Sequence, residues 1–256
     1  MLELAGNGGS VPRTPEELAA AITGKVTVPH KIRKRLTAAA QFIENFKHRK
    51  TIVHLMSECF APTVEPSSLH RILTSMPQIP LIVDSWYDSA CSGALADRFD
   101  WGQVQGLSQA EHFGTWTAYF DSTGIPTTSD AAASWNTLLY RPLGGIHPAR
   151  NFLVSDSDFV EVLTEIDIQT PLPPRVQALR TNRHFLFLGC RFHDQLERIF
   201  ARQIMKRSSD RHWAVIPGEL TRKEARFLEE QKIERIDLPL REFENALTRN
   251  TVGELS

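Results

Sequence analysis

The sequence predicts an α/β fold: a mostly parallel sheet with helices on both faces and a helical module near the N-terminus. Three observations predict it. Residues 14–75 carry apolar positions at helical spacing. From residue 80 onward, short apolar runs alternate with amphipathic stretches, the pattern of strand–helix units. Several of these runs are apolar throughout, as expected of parallel strands covered on both faces.

The composition bounds the reading. The chain has 256 residues, enough for a substantial core and, with no internal repeats, read as one domain over residues 1–256. Lys and Arg number 29 against 30 Asp and Glu, a net charge of -1, with 41% apolar residues. Those values exclude disorder as the dominant state and remove any global electrostatic case for nucleic-acid binding, while a local basic patch stays open. No apolar run approaches the ~20 residues of a membrane-spanning helix. The start, MLELAGNGGS, lacks the basic and apolar regions of a secretory signal. Cys59, Cys91 and Cys190 are far apart without a CxxC pair, which excludes a disulfide framework or a four-cysteine zinc site within the chain. A cytosolic protein is expected.

Thr14-Pro15-Glu16-Glu17 reads as a helix start: Thr14 caps, Pro15 takes the first helical position, and Glu17 closes a capping box. That helix should stop near Gly24. A second should begin around Pro29 or His30, with Ile32, Leu36, Ala39, Ile43 and Phe46 inward. Its other face is basic, with Lys31, Arg33, Lys34, Arg35, Lys47, His48, Arg49 and Lys50. Such a run is either a solvated face or a surface for phosphate or nucleic acid. Helical spacing continues through residues 51–60 and resumes at Ser67.

Pro80-Leu81-Ile82-Val83 reads as a buried parallel strand that delivers Asp84-Ser85-Trp86-Tyr87-Asp88 to its carboxyl edge, where ligands sit in open α/β sheets. Strands are expected near residues 102–106 and 115–120, then at 137–140 and 152–154. A helix from about Asp158 should have Glu161 completing its cap, and residues 169–175, with three prolines, read as a loop. Phe185–Leu188 reads as the most buried strand. It passes through Gly189 into a helix capped by Asp194, with Leu196, Ile199 and Phe200 inward. Residues 213–216 and 233–238 read as further strands, with a Thr221/Glu224 capping box between them.

A buried strand running through glycine into a capped helix favours an anion at the sheet edge. Gly189 lets backbone approach a ligand, Arg191 could pair with phosphate, and Asp194 could cap the helix or accept a ribose hydroxyl. Many α/β sheets contain such a turn with no ligand. Cys190 reads as a small packing residue, since nothing nearby lowers its pKa.

FLFLGCRFHDQLERIF followed by HWAVIPGELTRKEARFLEEQKIERIDLP resembles the closing part of bacterial sirtuin-like domains. SSLHRILTSMPQIPLIVDSWYDSA resembles the family's helix–strand–TTNYD segment. LLYRPLGGIHPARNFLVSDSDFVEVL resembles its strand with a His-Gly pair and the helix that follows. The resemblance implies a Rossmann-like NAD-binding domain: a helical segment at about 14–75 and a nucleotide-binding core at 80–240. It implies cleavage of the nicotinamide–ribose bond, by NAD hydrolysis or by ADP-ribose transfer in deacylation. NAD or ADP-ribose is the implied ligand, with Ser85, Gly144, Gly189, Cys190, Arg191 and Asp194 at the cofactor. Members of the zinc-free group serve in larger defence systems, so a defence-type assembly or a homo-oligomer is the implied setting.

The departures are specific. Leu143 occupies the histidine position of the His-Gly pair, with Gly144 retained, and leucine cannot act as a base. His147, four residues on, and Asp88 are the remaining catalytic candidates, although Asp88 also reads as a helix cap. Trp86 replaces the family's asparagine. The family's opening strand and glycine loop have no clear counterpart, since Gly6–Gly9 lacks a preceding strand, so an encoded start downstream of the family's usual one is expected. The chemistry is therefore expected to be weak or lost, the alternative being a nucleotide-sensing or partner-binding protein.

Overall fold

The computed structural model describes residue 4, residues 10–168 and residues 172–253. Gly6–Gly9 and residues 169–171 of the expected proline loop lie outside the described residues. The chain divides into two compact units, one of Leu2–Arg175 and one beginning at Val176.

In the first unit the Thr14 hydroxyl accepts the Glu17 backbone N–H at 3.2 Å and starts α1 (Pro15–Lys25). The Glu17 carboxylate reaches past Thr14 and takes the Arg13 backbone N–H at 2.7 Å, so the expected box does not close on the cap. Then α2 (Leu36–Lys47) starts later than expected, because residues 30–34 form turns closed by Ile32 N–H to Pro29 O and Arg35 N–H to Ile32 O. Next come α3 (Arg49–Phe60) and α4 (Ser68–Ser75), the latter capped by Ser67. Leu18, Ile22, Ile43, Ile52, Met56 and Phe60 form the helical core. Phe46, expected inward, is 67% exposed and stacks on Phe42 instead of entering that core.

The sheet of this unit is built from β1 (Leu81–Val83), β2 (Trp101–Gly106), β3 (Thr117–Asp121), β4 (Pro126–Thr127) and β5 (Thr137–Arg141), with the short α5 (Ala90–Ala94) after β1. The strand order is β1-β5-β2-β3-β4. Leu138 of β5 stands opposite both Leu81 and Gly102 in parallel register, while β3 and β4 are antiparallel. A two-residue pair follows, β6 (Gly144–Gly145) and β7 (Asn151–Phe152), then α6 (Asp156–Ile168).

The strand expected at 152–154 is cut short. The Leu153 carbonyl goes to the Tyr87 hydroxyl, and the Val154 N–H goes to the Asp158 carboxylate. The helix cap also sits one turn earlier than expected: Ser155 and Asp158 exchange side-chain and backbone hydrogen bonds in place of Asp158 and Glu161.

The boundary falls in the first turn of α7 (Pro174–Arg180), and the second unit holds the rest of that helix, β8 (Leu186–Leu188), α8 (Gln195–Met205), β9 (His212–Val215), α9 (Arg222–Glu230), β10 (Ile233–Ile236) and α10 (Leu240–Gly253). Pro174 begins α7 at a position where its missing N–H costs nothing, so the expected loop is shorter. The three strands are parallel in the order β10-β9-β8. Phe185–Leu188 is not the most buried strand: β8 lies at a sheet edge and Leu186 is 41% exposed. β1, also at an edge, is half-buried throughout. Leu196, Ile199 and Phe200 are half-buried, and Ala201, Ile204 and Met205 supply the buried face of α8. The α/β class with a mostly parallel sheet stands.

Candidate functional site

At the carboxyl end of β1 the backbone leaves the sheet through Asp84, whose N–H donates to Tyr140 O at 2.9 Å. The Asp84 carboxylate accepts the Trp86 N–H at 3.2 Å, which tightens the turn. Arg141, the last residue of β5, projects its fully buried guanidinium under this turn. It donates to Trp86 O at 3.1 Å, His147 O at 3.2 Å and, closely, Asp88 O. Its Nε stands 3.5 Å from Asp84 Oδ2 with no hydrogen bond. Gln105 also donates to His147 O and to Gln103 Oε1, and its own Oε1 is buried without a partner. A Cβ on Gly145 would overlap the guanidinium, so glycine makes room for this hub.

The sequence candidates sit around the hub in unequal roles. Ser85 is exposed. Asp88 is buried and its carboxylate accepts the Ala90 N–H at 2.7 Å, fixing the start of α5. Trp86 is half-buried and donates through its indole N–H to Pro12 O at 2.9 Å. Leu143 packs against the helical core. Gly144 has φ +75 and leaves no space for a Cβ against Asn151 O. His147 exposes its ring and contributes only its carbonyl to the hub.

Sequence reading missed Arg141, Gln103 and Gln105 as site residues. The signal was two glutamines two apart in a strand, which places both on one face. The sequence places Asp84 at the carboxyl edge of the strand without giving it a role. Burial, reinforced by the Asp88 charge, outweighs the attraction of Arg141 and pushes the Asp84 carboxyl up to about 6.

In the second unit Gly189 takes φ +68 directly after β8, a conformation that glycine adopts at no steric cost. Cys190 packs against the core of the unit, and burial pushes its thiol up to about 12. Arg191 is turned into the unit. Its Nε donates to Glu224 at 3.1 Å, and its terminal nitrogens donate to Pro217 O and Glu219 O at 3.3 and 2.8 Å. Asp194 caps α8 by accepting the Leu196 N–H at 2.7 Å. The candidates thus form two groups, one on each unit.

The profile of the SIR2-like domain family matches residues 80–236, more than half of the chain, and takes in both groups. The chain belongs to the SIR2-like family. SIR2-like domains generally bind NAD. A search of the curated proteins found no match.

One buried charge cluster of the SIR2-like chain lies outside these edges. Arg49 pairs with Asp158 at 2.9 Å, Glu111 at 3.1 Å and Glu44 at 3.4 Å, and donates closely to Phe152 O. Burial works to raise the Asp158 carboxyl, but Arg49 and the hydrogen bonds from Ser108, Ser155 and Val154 outweigh it and hold the pKa below its ordinary value. The network ties α3 to the start of α6 and to the 108–111 loop. Among the described residues, no three His, Cys, Asp or Glu side chains gather as they would around a metal ion. No described helix is long and apolar enough to cross a membrane.

Proposed function

We propose that this SIR2-like protein is a cytosolic binder of NAD or ADP-ribose in which cleavage of the nicotinamide–ribose bond is weak or lost. The observation that carries the reading is Leu143. It stands where the family's histidine base is expected and packs into the helical core, offering no group that moves a proton. Asp88 is committed to a helix start, and His147 enters its hub through a carbonyl. In this reading the two units belong to one SIR2-like domain, supported by a family match that runs through both.

The ligand-facing positions we assign are Ser85 and Gly144 on the first unit and, on the second unit taken by itself, the backbone at Gly189 and Cys190 with Asp194 at the start of α8. Arg191 would reach a phosphate only by leaving Glu224, so its part is to hold the 217–219 loop. Calorimetric titration of the full chain with NAD and ADP-ribose, beside a nicotinamide-release assay, tests the proposal. The expected result is binding with turnover ~100- to ~10,000-fold below that of an enzyme with a working base. Absence of binding overturns it. So does robust nicotinamide release, in which case Asp88→Asn and His147→Ala would locate the substitute base.

A further inference from the structure

Residues 30–50 hold seven Lys and Arg against a single acid, Glu44, in a chain whose net charge is -1. Folding sharpens this imbalance. Arg49 turns inward and takes Glu44 as one of its partners. Lys31, Arg33, Lys34, Arg35, Lys47 and Lys50 are all exposed, and none has a carboxylate in ion-pair reach among the described residues.

The placement of these six cations limits what they can hold. Four lie in the turns just before α2, and two lie at or just past its far end. A helix of 12 residues is ~18 Å long, so a single phosphate or nucleotide cannot engage both clusters. A polymer can, since each strand of a duplex presents a phosphate every ~3.4 Å of axis. α2 also begins without a side-chain cap or an acid in its first turn. Cations there oppose the helix dipole, an unfavourable arrangement that a bound anion would relieve. An anionic bilayer fits less well. Interfacial helices insert a broad apolar face, whereas on α2 Ala39, Ala40 and Ile43 are buried within the protein and Phe46 is the one exposed large apolar side chain.

We propose that the basic surface bracketing α2 binds the phosphate backbone of a nucleic acid, without reading its sequence. Fluorescence anisotropy of the full chain with a labelled DNA of about 20 nucleotides, single-stranded and as a duplex, tests this. Raising salt from about 50 to about 200 mM should weaken binding roughly 100- to 1,000-fold if about four to six phosphates are contacted. The Lys31→Glu/Arg33→Glu/Lys34→Glu variant should bind at least about tenfold more weakly while melting at the wild-type temperature. Lys47→Glu/Lys50→Glu should show a smaller loss. No binding at the lower salt overturns the proposal, as does unchanged affinity in both variants. Stronger binding to phosphatidylserine vesicles than to either DNA also overturns it.

Discussion

Arg141 and Arg191 stand in comparable places, one ending β5 and the other just after β8, and each gathers backbone carbonyls from neighbouring loops. Their electrostatics are opposite. Arg141 is 1% exposed, and its hydrogen bonds go to three carbonyls, with the nearest carboxylate, Asp84, only within 3.5 Å. Arg191 is 42% exposed, while its partner Glu224 is 1% exposed and hydrogen-bonded to it. In the first unit a buried cation is held mainly by carbonyl dipoles, with its Nε unbonded beside Asp84; in the second a half-exposed cation satisfies a buried anion. The group that carries the desolvation cost therefore differs, and so does what each substitution leaves behind.

The largest effect is expected from Arg141→Met. The stem volume is kept, but the carbonyls of Trp86 and Asp88 lose their shared donor in a buried setting, while His147 O keeps its bond from Gln105. Each unsatisfied buried acceptor costs about 1–3 kcal/mol, so for two of them a total loss of about 2–6 kcal/mol in urea denaturation is expected. The 84–88 turn should loosen with it, weakening any NAD binding there. A loss under about 1 kcal/mol would mean that water reaches these carbonyls, and the contrast with Arg191 would collapse.

What could be read in advance follows from locality. Thr14, Asp194 and the Thr221/Glu224 box lie within four residues of the backbone they cap, and each was legible in the sequence. The all-apolar runs at 81–83 and 186–188 located strands correctly, but burial depends on neighbours, and both strands fall at sheet edges. Arg141 was opaque because its partners come from residues 86–88 and 147, brought together only by folding. Arg191 was seen beside its glycine and read toward phosphate. The glutamate that holds it lies 33 positions on, and no local pattern announces that pairing.

A smaller effect is expected from Arg191→Ala. Glu224 keeps the Thr221 backbone N–H at 2.7 Å, and solvent already reaches the arginine side of the pair. The loss should be about 1 kcal/mol, a few degrees in melting temperature. NAD affinity should fall less than tenfold, through movement of the 217–219 loop. A larger loss of affinity without loss of stability would place the guanidinium on the ligand and return it to the phosphate role.

The smallest and most discriminating effect is one of sign, read from the two carboxyls. Burial and the Asp88 charge raise the Asp84 pKa to about 6 despite Arg141, whereas an unfolded Asp titrates near ~3.9. Between those values the folded chain keeps a proton that the unfolded chain has lost, so this group makes stability fall as pH rises through the window. Glu224 behaves oppositely. Burial works to raise its pKa, but its hydrogen bonds with Thr221 and Arg191 outweigh that and lower it below the unfolded ~4.3. Its contribution is present above that value and is lost as pH falls through the folded pKa. Urea midpoints measured from about pH 3.5 to about pH 7 should therefore separate two variants. Asp84→Asn should gain on the wild type as pH rises past about 4, with the gain levelling off above about 6. Glu224→Gln should be less stable at neutral pH and close that gap as pH drops below about 4. If both variants moved the same way with pH, the buried cation and the buried anion would not differ in the manner their hydrogen bonds indicate.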